Sequence, residues 1–146
     1  MPAQIYRYTP VVEAGPNGRT LFAKLPEGAL VLCALGDLTY ITVPEGVTIP
    51  DQHPEITLEL VVVDYGLREL LKKNSRAVQL IDQSVIDRIR SAYSLDDEQY
   101  FARIGVGVAL GAYTFEPGEQ ESLVAFGAYV EECRQWGRAQ RTALGV

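Results

Sequence analysis

The sequence predicts an α+β fold: antiparallel β hairpins at the amino-terminal side, followed by a carboxy-terminal helical part of about three helices. Three observations carry that prediction. Glycine- and proline-rich turn chemistry punctuates short β-branched and aromatic runs over roughly the first sixty residues. Beyond Asn74 the apolar period changes to that of a helix, with Val78, Ile81, Val85, Ile89 and Ala92 at spacings of three and four. Helix starts are then marked at Ser94 and after Pro117-Gly118.

Taken in order, Gln4 to Tyr8 and Val11 to Glu13 are expected strands, and Asn17-Gly18 supplies a pair that tolerates the positive φ of a hairpin turn. Arg19 to Leu25 returns from it. The second hairpin is the clearer one, with Ala29 to Leu35 meeting Gly36-Asp37 and Leu38 to Val43 following. Pro44-Glu45-Gly46 and Pro50 to Pro54 interrupt the pattern, because proline cannot donate to a ladder and restricts the residue before it. Thr57 to Asp64 alternates like a strand and Tyr65 to Lys73 looks helical, so the boundary between the two stays loose. Ser94 is a good N-cap, and Asp96, Asp97 and Glu98 suit the positive end of a helix dipole. The last helix is expected to run to about Ala143 with Leu123, Phe126, Val130, Cys133 and Gly137 on one face. The organisation is thus a β part over 1–62 and a helical part over 63–146, sharing one core because each alone is near the size where a core becomes marginal.

The 146 residues carry 13 Lys and Arg against 19 Asp and Glu, a formal charge of −6. A compact monomer of 16.1 kDa exposes roughly 7,400 Å², and such a chain needs no disulfide or metal to hold its core. Neither basic cluster nor basic excess offers the footprint of a chain that tracks phosphates, so no nucleic-acid partner is expected. The amino-terminal ten residues lack a basic stretch followed by an apolar run, and Ile104 to Ala112 is about half of the roughly 20 residues a membrane span needs. Neither a signal peptide nor a membrane span is expected.

Candidate chemistry is sparse. His53 is the only histidine and sits in a turn, which removes triads and two-imidazole metal sites. Cys33 has no basic neighbour and Cys133 follows Glu131 and Glu132, so both are read as buried free thiols rather than nucleophiles. Successive side chains on a helix point about 100° apart, so Asp96, Asp97 and Glu98 cannot all converge on one ion. Gly105, Gly107 and Gly111 have the spacing GxGxxxG after a helix, which does not suit a dinucleotide loop. The segment Ile104 to Leu110 fits a helix in which Gly107 and Gly111 let another backbone approach, or a strand; helix is the expectation, since the Ser94 cap favours continuing it. No catalytic residue, cofactor or metal site is therefore expected. Arg134, Arg138 and Arg141 form a stripe near Trp136, the only tryptophan, and these four residues are the candidate partner-binding surface. Cations near a helix carboxyl end are also favourable on their own.

Two segments extend the reading. Ile89-Arg90-Ser91-Ala92-Tyr93-Ser94-Leu95-Asp96-Asp97-Glu98 and Tyr129-Val130-Glu131-Glu132-Cys133-Arg134-Gln135-Trp136-Gly137-Arg138-Ala139, followed by Leu144-Gly145, resemble small proteins encoded in the tail regions of temperate bacteriophages, near tail-fibre and fibre-assembly genes. A fainter likeness lies in Asp37 to Pro50, whereas Gly105 to Ser122 is longer and more glycine-rich than the connection in that group. The resemblance implies a non-enzymatic structural protein of the virion tail, assembled in the host cytoplasm, homo-oligomeric and bound to other tail or tail-fibre proteins. A tail-fibre assembly chaperone is the alternative, and a small host-directed binding protein or enzyme without a linear motif is the second. The resemblance supplies no catalytic residues.

Overall fold

The computed structural model describes residues 2–146. Its elements in chain order are β1 (Gln4–Tyr8), β2 (Val11–Val12), β3 (Thr20–Leu21), β4 (Leu30–Leu35), β5 (Leu38–Val43), β6 (Glu59–Leu60), α1 (Tyr65–Asn74), α2 (Arg76–Ala92), α3 (Leu95–Ala109) and α4 (Glu119–Ala143). The class is α+β, with four helices in place of about three. The fourth is α1, over the Tyr65 to Lys73 stretch that looks helical in the sequence, and Asp64 starts it by accepting the Leu67 N–H at 2.8 Å. Ser75 then serves two helices: its N–H donates to Leu71 O at the end of α1, and its Oγ accepts from Val78 N–H in the first turn of α2.

The chain forms two compact units, one containing the chain up to Leu80 together with Gln140–Val146 and the other Ile81–Ala139. The division falls inside α2 and α4, away from the strand-to-helix change near residue 62.

In the first unit the strands form an antiparallel sheet in the order β4-β5-β1-β6. Alternation along the strands places Ile5, Cys33 and Tyr40 on one face, where Leu71 of α1, Val78 of α2 and Val146 complete a core. Tyr8, Ile41 and Val43 face the other way against Ile56, Val11, Leu21, Val47 and Ile49. With both faces covered, every residue from Thr39 to Val43 is buried. The chain's last residues are tied to this sheet: Thr42 Oγ1 donates to Leu144 O at 2.8 Å, and Ala3 N–H to Ala143 O at 3.4 Å.

The first hairpin departs from expectation. Only Val11–Val12 and Thr20–Leu21 pair, so Arg19 to Leu25 is not a full strand. Its positive φ falls at Gly15 (φ 119°), not at Asn17-Gly18. Gly18 is fixed by crowding instead, since a Cβ there would lie 2.0 Å from Glu13 O. The Gly36-Asp37 hairpin forms as expected, with Leu35 opposite Leu38.

The second unit consists of α2 from Ile81, α3, and α4 as far as Ala139. Ile104 to Ala109 is helical, which settles the helix-or-strand alternative. Ile89, Phe101, Ile104, Cys133 and Gly137 are its buried residues, and Leu123, Phe126 and Val130 are half-buried on the expected face of α4. Among the described residues no helix is long and apolar enough to cross a membrane.

Candidate functional site

The side chains that converge in the second unit are aromatic before they are charged. Tyr93, at the end of α2, packs edge-on to Phe101 of α3 (6.0 Å between ring centres) and to Phe126 of α4 (5.1 Å), and it lies 5.7 Å from Tyr129. Phe101 and Phe126 stack at 4.9 Å. The Tyr129 hydroxyl donates to Arg88 O at 2.8 Å. The Ser94 cap lies beside this cluster and forms a full capping box: Asp97 N–H donates to Ser94 Oγ at 3.1 Å, and Ser94 N–H to Asp97 Oδ2 at 2.8 Å. Glu98 turns to Arg90 at 3.6 Å. Asp97 thus serves the cap and Glu98 an ion pair, and among the described residues no group of His, Cys, Asp or Glu could hold a metal ion.

The partner-surface candidates are dispersed by this packing. Trp136 is half-buried, and the Arg88 guanidinium lies over its ring at 3.9 Å, a cation–π contact worth about 0.5–1 kcal/mol at a surface. Arg138 donates to Glu131 at 2.7 Å along its own helix, and that hydrogen bond holds the Glu131 carboxyl below the usual carboxylate range. Arg134 is exposed on α4. Arg141 belongs to the other unit, where its carbonyl accepts the Leu144 and Val146 N–H groups.

The glycine candidates also separate. Gly107 lies inside α3, where the following loop folds back so closely that a Cβ would sit 2.8 Å from Tyr113 Cβ, and its carbonyl accepts both the Ala112 and Tyr113 N–H groups. Gly111 is not in a helix and meets no neighbour within 4 Å. It follows the C-cap Leu110 with φ 72°; the Gly111 N–H reaches Val108 O and the Ala112 N–H reaches Gly107 O, a Schellman ending. Helix termination, not helix packing, requires that glycine. Gly105 is the one beside another helix, where an added Cβ would lie 3.5 Å from Leu123 Cδ2 of α4.

Sequence reasoning passed over the most organised polar group in this unit. Glu119, the first residue of α4, accepts hydrogen bonds from the Tyr100 hydroxyl, from the Tyr113 hydroxyl at 2.6 Å and from the Glu116 N–H at 2.8 Å. Those bonds hold the Glu119 carboxyl below its usual range. The hydrogen bond to Glu119, with some burial, raises the Tyr100 hydroxyl and pushes the Tyr113 hydroxyl up to about 12. A cleft of about 360 Å³ opens beside them, lined by Tyr100, Arg103, Ile104, Gly107 and Tyr113. General acid–base work at neutral pH needs groups tuned towards pH 7, and this arrangement drives a carboxylate and two phenols apart from it. The only sequence signal was the spacing of Glu116 and Glu119, in which the later side chain reaches back to the earlier N–H as in a capping box.

His53 is exposed and accepts the Glu55 N–H at Nδ1, 3.2 Å away, closing its own turn. Cys33 and Cys133 are both buried free thiols, and burial pushes the Cys33 thiol up. Comparison with protein-family models, with curated proteins and with solved structures finds no match.

Proposed function

We propose that this chain is a non-enzymatic structural protein of a bacteriophage tail, working by association with other tail or tail-fibre subunits through the solvent-facing side of its helical unit. One observation carries the reading: that unit holds large apolar side chains in solvent, with Leu110 77%, Val124 65% and Val106 58% exposed. Val124, Ala125 and Ala128 line a shallow depression on α4 with Gln120 and Glu121, and Arg134 stands further along the same helix. Apolar surface of this kind is the raw material of a protein interface. The likeness of residues 89–98 and 129–139 to phage tail-region proteins supplies the setting. Among those residues Tyr93 and Tyr129 belong to the aromatic junction and Ser94 and Asp97 to the cap beside it, while Arg134 is exposed. The non-enzymatic part rests on that same likeness, which supplies no catalytic residues.

Deleting residues 128–146 would remove buried Cys133, Gly137 and Val146 and unfold the chain, so point substitutions are the clean test. The experiment is quantitative mass spectrometry of purified tail particles, with the wild-type chain and with Val124→Asp and Arg134→Glu. A fixed copy number per particle, reduced in the variants, is the expected result. Presence in extracts of producing cells with absence from finished particles would move the chain to the assembly-chaperone reading. Absence of any association with tail components in either fraction would overturn both.

A further inference from the structure

We propose that the free edge of β6 is a self-pairing site, through which two copies of this chain join their sheets in antiparallel fashion about a twofold axis at Leu60. The inference is independent of the helical surface above.

β6 ends the four-stranded sheet and pairs only with β1, Tyr6 opposite Leu60 and Arg7 opposite Glu59. The Val61 N–H donates to Ile5 O at 2.9 Å. In an antiparallel pair, residues whose backbone groups reach the neighbouring strand alternate with residues whose groups point away. Glu59 and Val61 are bonded inward, so Leu60 directs both its N–H and its C=O out of the sheet; Leu58 and Val62 flank it two positions away on either side, outside the strand itself. The side chains match the backbone: Leu60 is 54% and Val62 91% exposed, the latter the highest value among the exposed large apolar residues described. The opposite edge is blunted, since β4 carries a bulge between Val31 and Cys33. β6 has no bulge; it is short, and its one charge, Glu59, is already held by Arg7 of the same chain.

A second copy is the occupant whose pattern fits. With the axis at Leu60, Leu60 meets Leu60 of the second copy, Leu58 meets Val62 and Glu59 meets Val61. Leu58, Leu60 and Val62 thus pair apolar with apolar, on one face of the joined sheet. Glu59 is the only charged residue between Thr57 and Val63. It faces a valine across the axis, and Arg7 of its own chain already holds it at 2.9 and 3.0 Å. No like charges meet, and the contact is isologous and closes at two copies.

The test is molar mass by light scattering during size exclusion, at low and high salt, for the full chain and two variants. Leu60→Pro removes the outward N–H and none of the bonds to β1. Val62→Lys keeps the backbone and places two lysines at the new seam. The expected result is a wild-type dimer, at twice the 16.1 kDa chain mass, that persists at high salt, with both variants falling to one chain mass while keeping the wild-type circular dichroism spectrum. If Leu60→Pro disturbs the fold, Val62→Lys decides alone. A wild-type monomer across the accessible concentration range overturns the proposal. So does an oligomer that ignores both substitutions, or one that dissociates in salt, which would belong to the arginines of α4.

Discussion

Gly107 and Gly127 are both glycines in helices, yet their surroundings give opposite predictions. Nothing lies within 4 Å of the space a Gly127 side chain would fill, so Gly127→Ala should raise stability by about 1 kcal/mol through helix propensity alone. Gly107→Ala gains the same propensity but drives a Cβ into Tyr113 Cβ. It should lower stability and lift Tyr113 from Glu119; urea denaturation of both variants checks the contrast. Thr42 makes a third case. It is buried, and its hydroxyl satisfies the Leu144 carbonyl, so Thr42→Val keeps the shape and strands an acceptor, at a cost of about 1–2 kcal/mol by the same measurement. At this scale the sequence was a fair guide to type and a poor one to role. Gly107 and Gly111 look alike in a spacing pattern, and only the backbone tells a close approach from a helix ending.

The helix starts show how far local chemistry can be read. Ser94 and Asp97 sit three residues apart, and a capping box is a contact between near neighbours, so the α3 start was legible, as were the apolar stripes of α2 and α4. The α4 start after Pro117-Gly118 was legible too, but the contact that fixes it was not: it runs from Tyr100 to Glu119, across nineteen positions that no short pattern spans. The Arg88–Trp136 contact escaped for the same reason. The Tyr–Glu group also makes the start of α4 sensitive to pH at both ends. The Glu119 carboxyl is depressed, so its contribution to stability is present above the ordinary carboxylate value and is lost as pH falls through the lowered one. The Tyr113 hydroxyl is raised, so its contribution is complete below the ordinary phenol value of about 10 and disappears as pH climbs towards about 12. Absorbance titration at the tyrosinate band should show a late-titrating phenol that Glu119→Ala returns towards about 10. Gly107→Ala should shift the same phenol in the same direction, and an unchanged titration in both variants would dissolve the link between them.

For the whole molecule, the α+β class and the order of strands before helices were written in the turns and the periods, while the division into two units was not. It cuts through α2 and α4, and no composition shift marks a cut inside a helix. Leu71 sits fully buried where helix meets sheet in the first unit, so Leu71→Ala should cost about 2–5 kcal/mol. Cys33 shares that cluster; in the native protein both thiols should resist a thiol reagent, and in the Leu71→Ala variant Cys33 should react faster. Thermal unfolding and reagent kinetics test the pair. The placing of residues 140–146 also bears on how the protein is made. Val146 belongs to the same core as Ile5, so the sheet, although its strands are translated first, waits for its final hydrophobic layer until every residue from 81 to 139 has been synthesised. A ribosome-bound chain arrested before residue 140 would hold a sheet with part of its core open to water, and should be cut by protease at the strands that the finished protein protects.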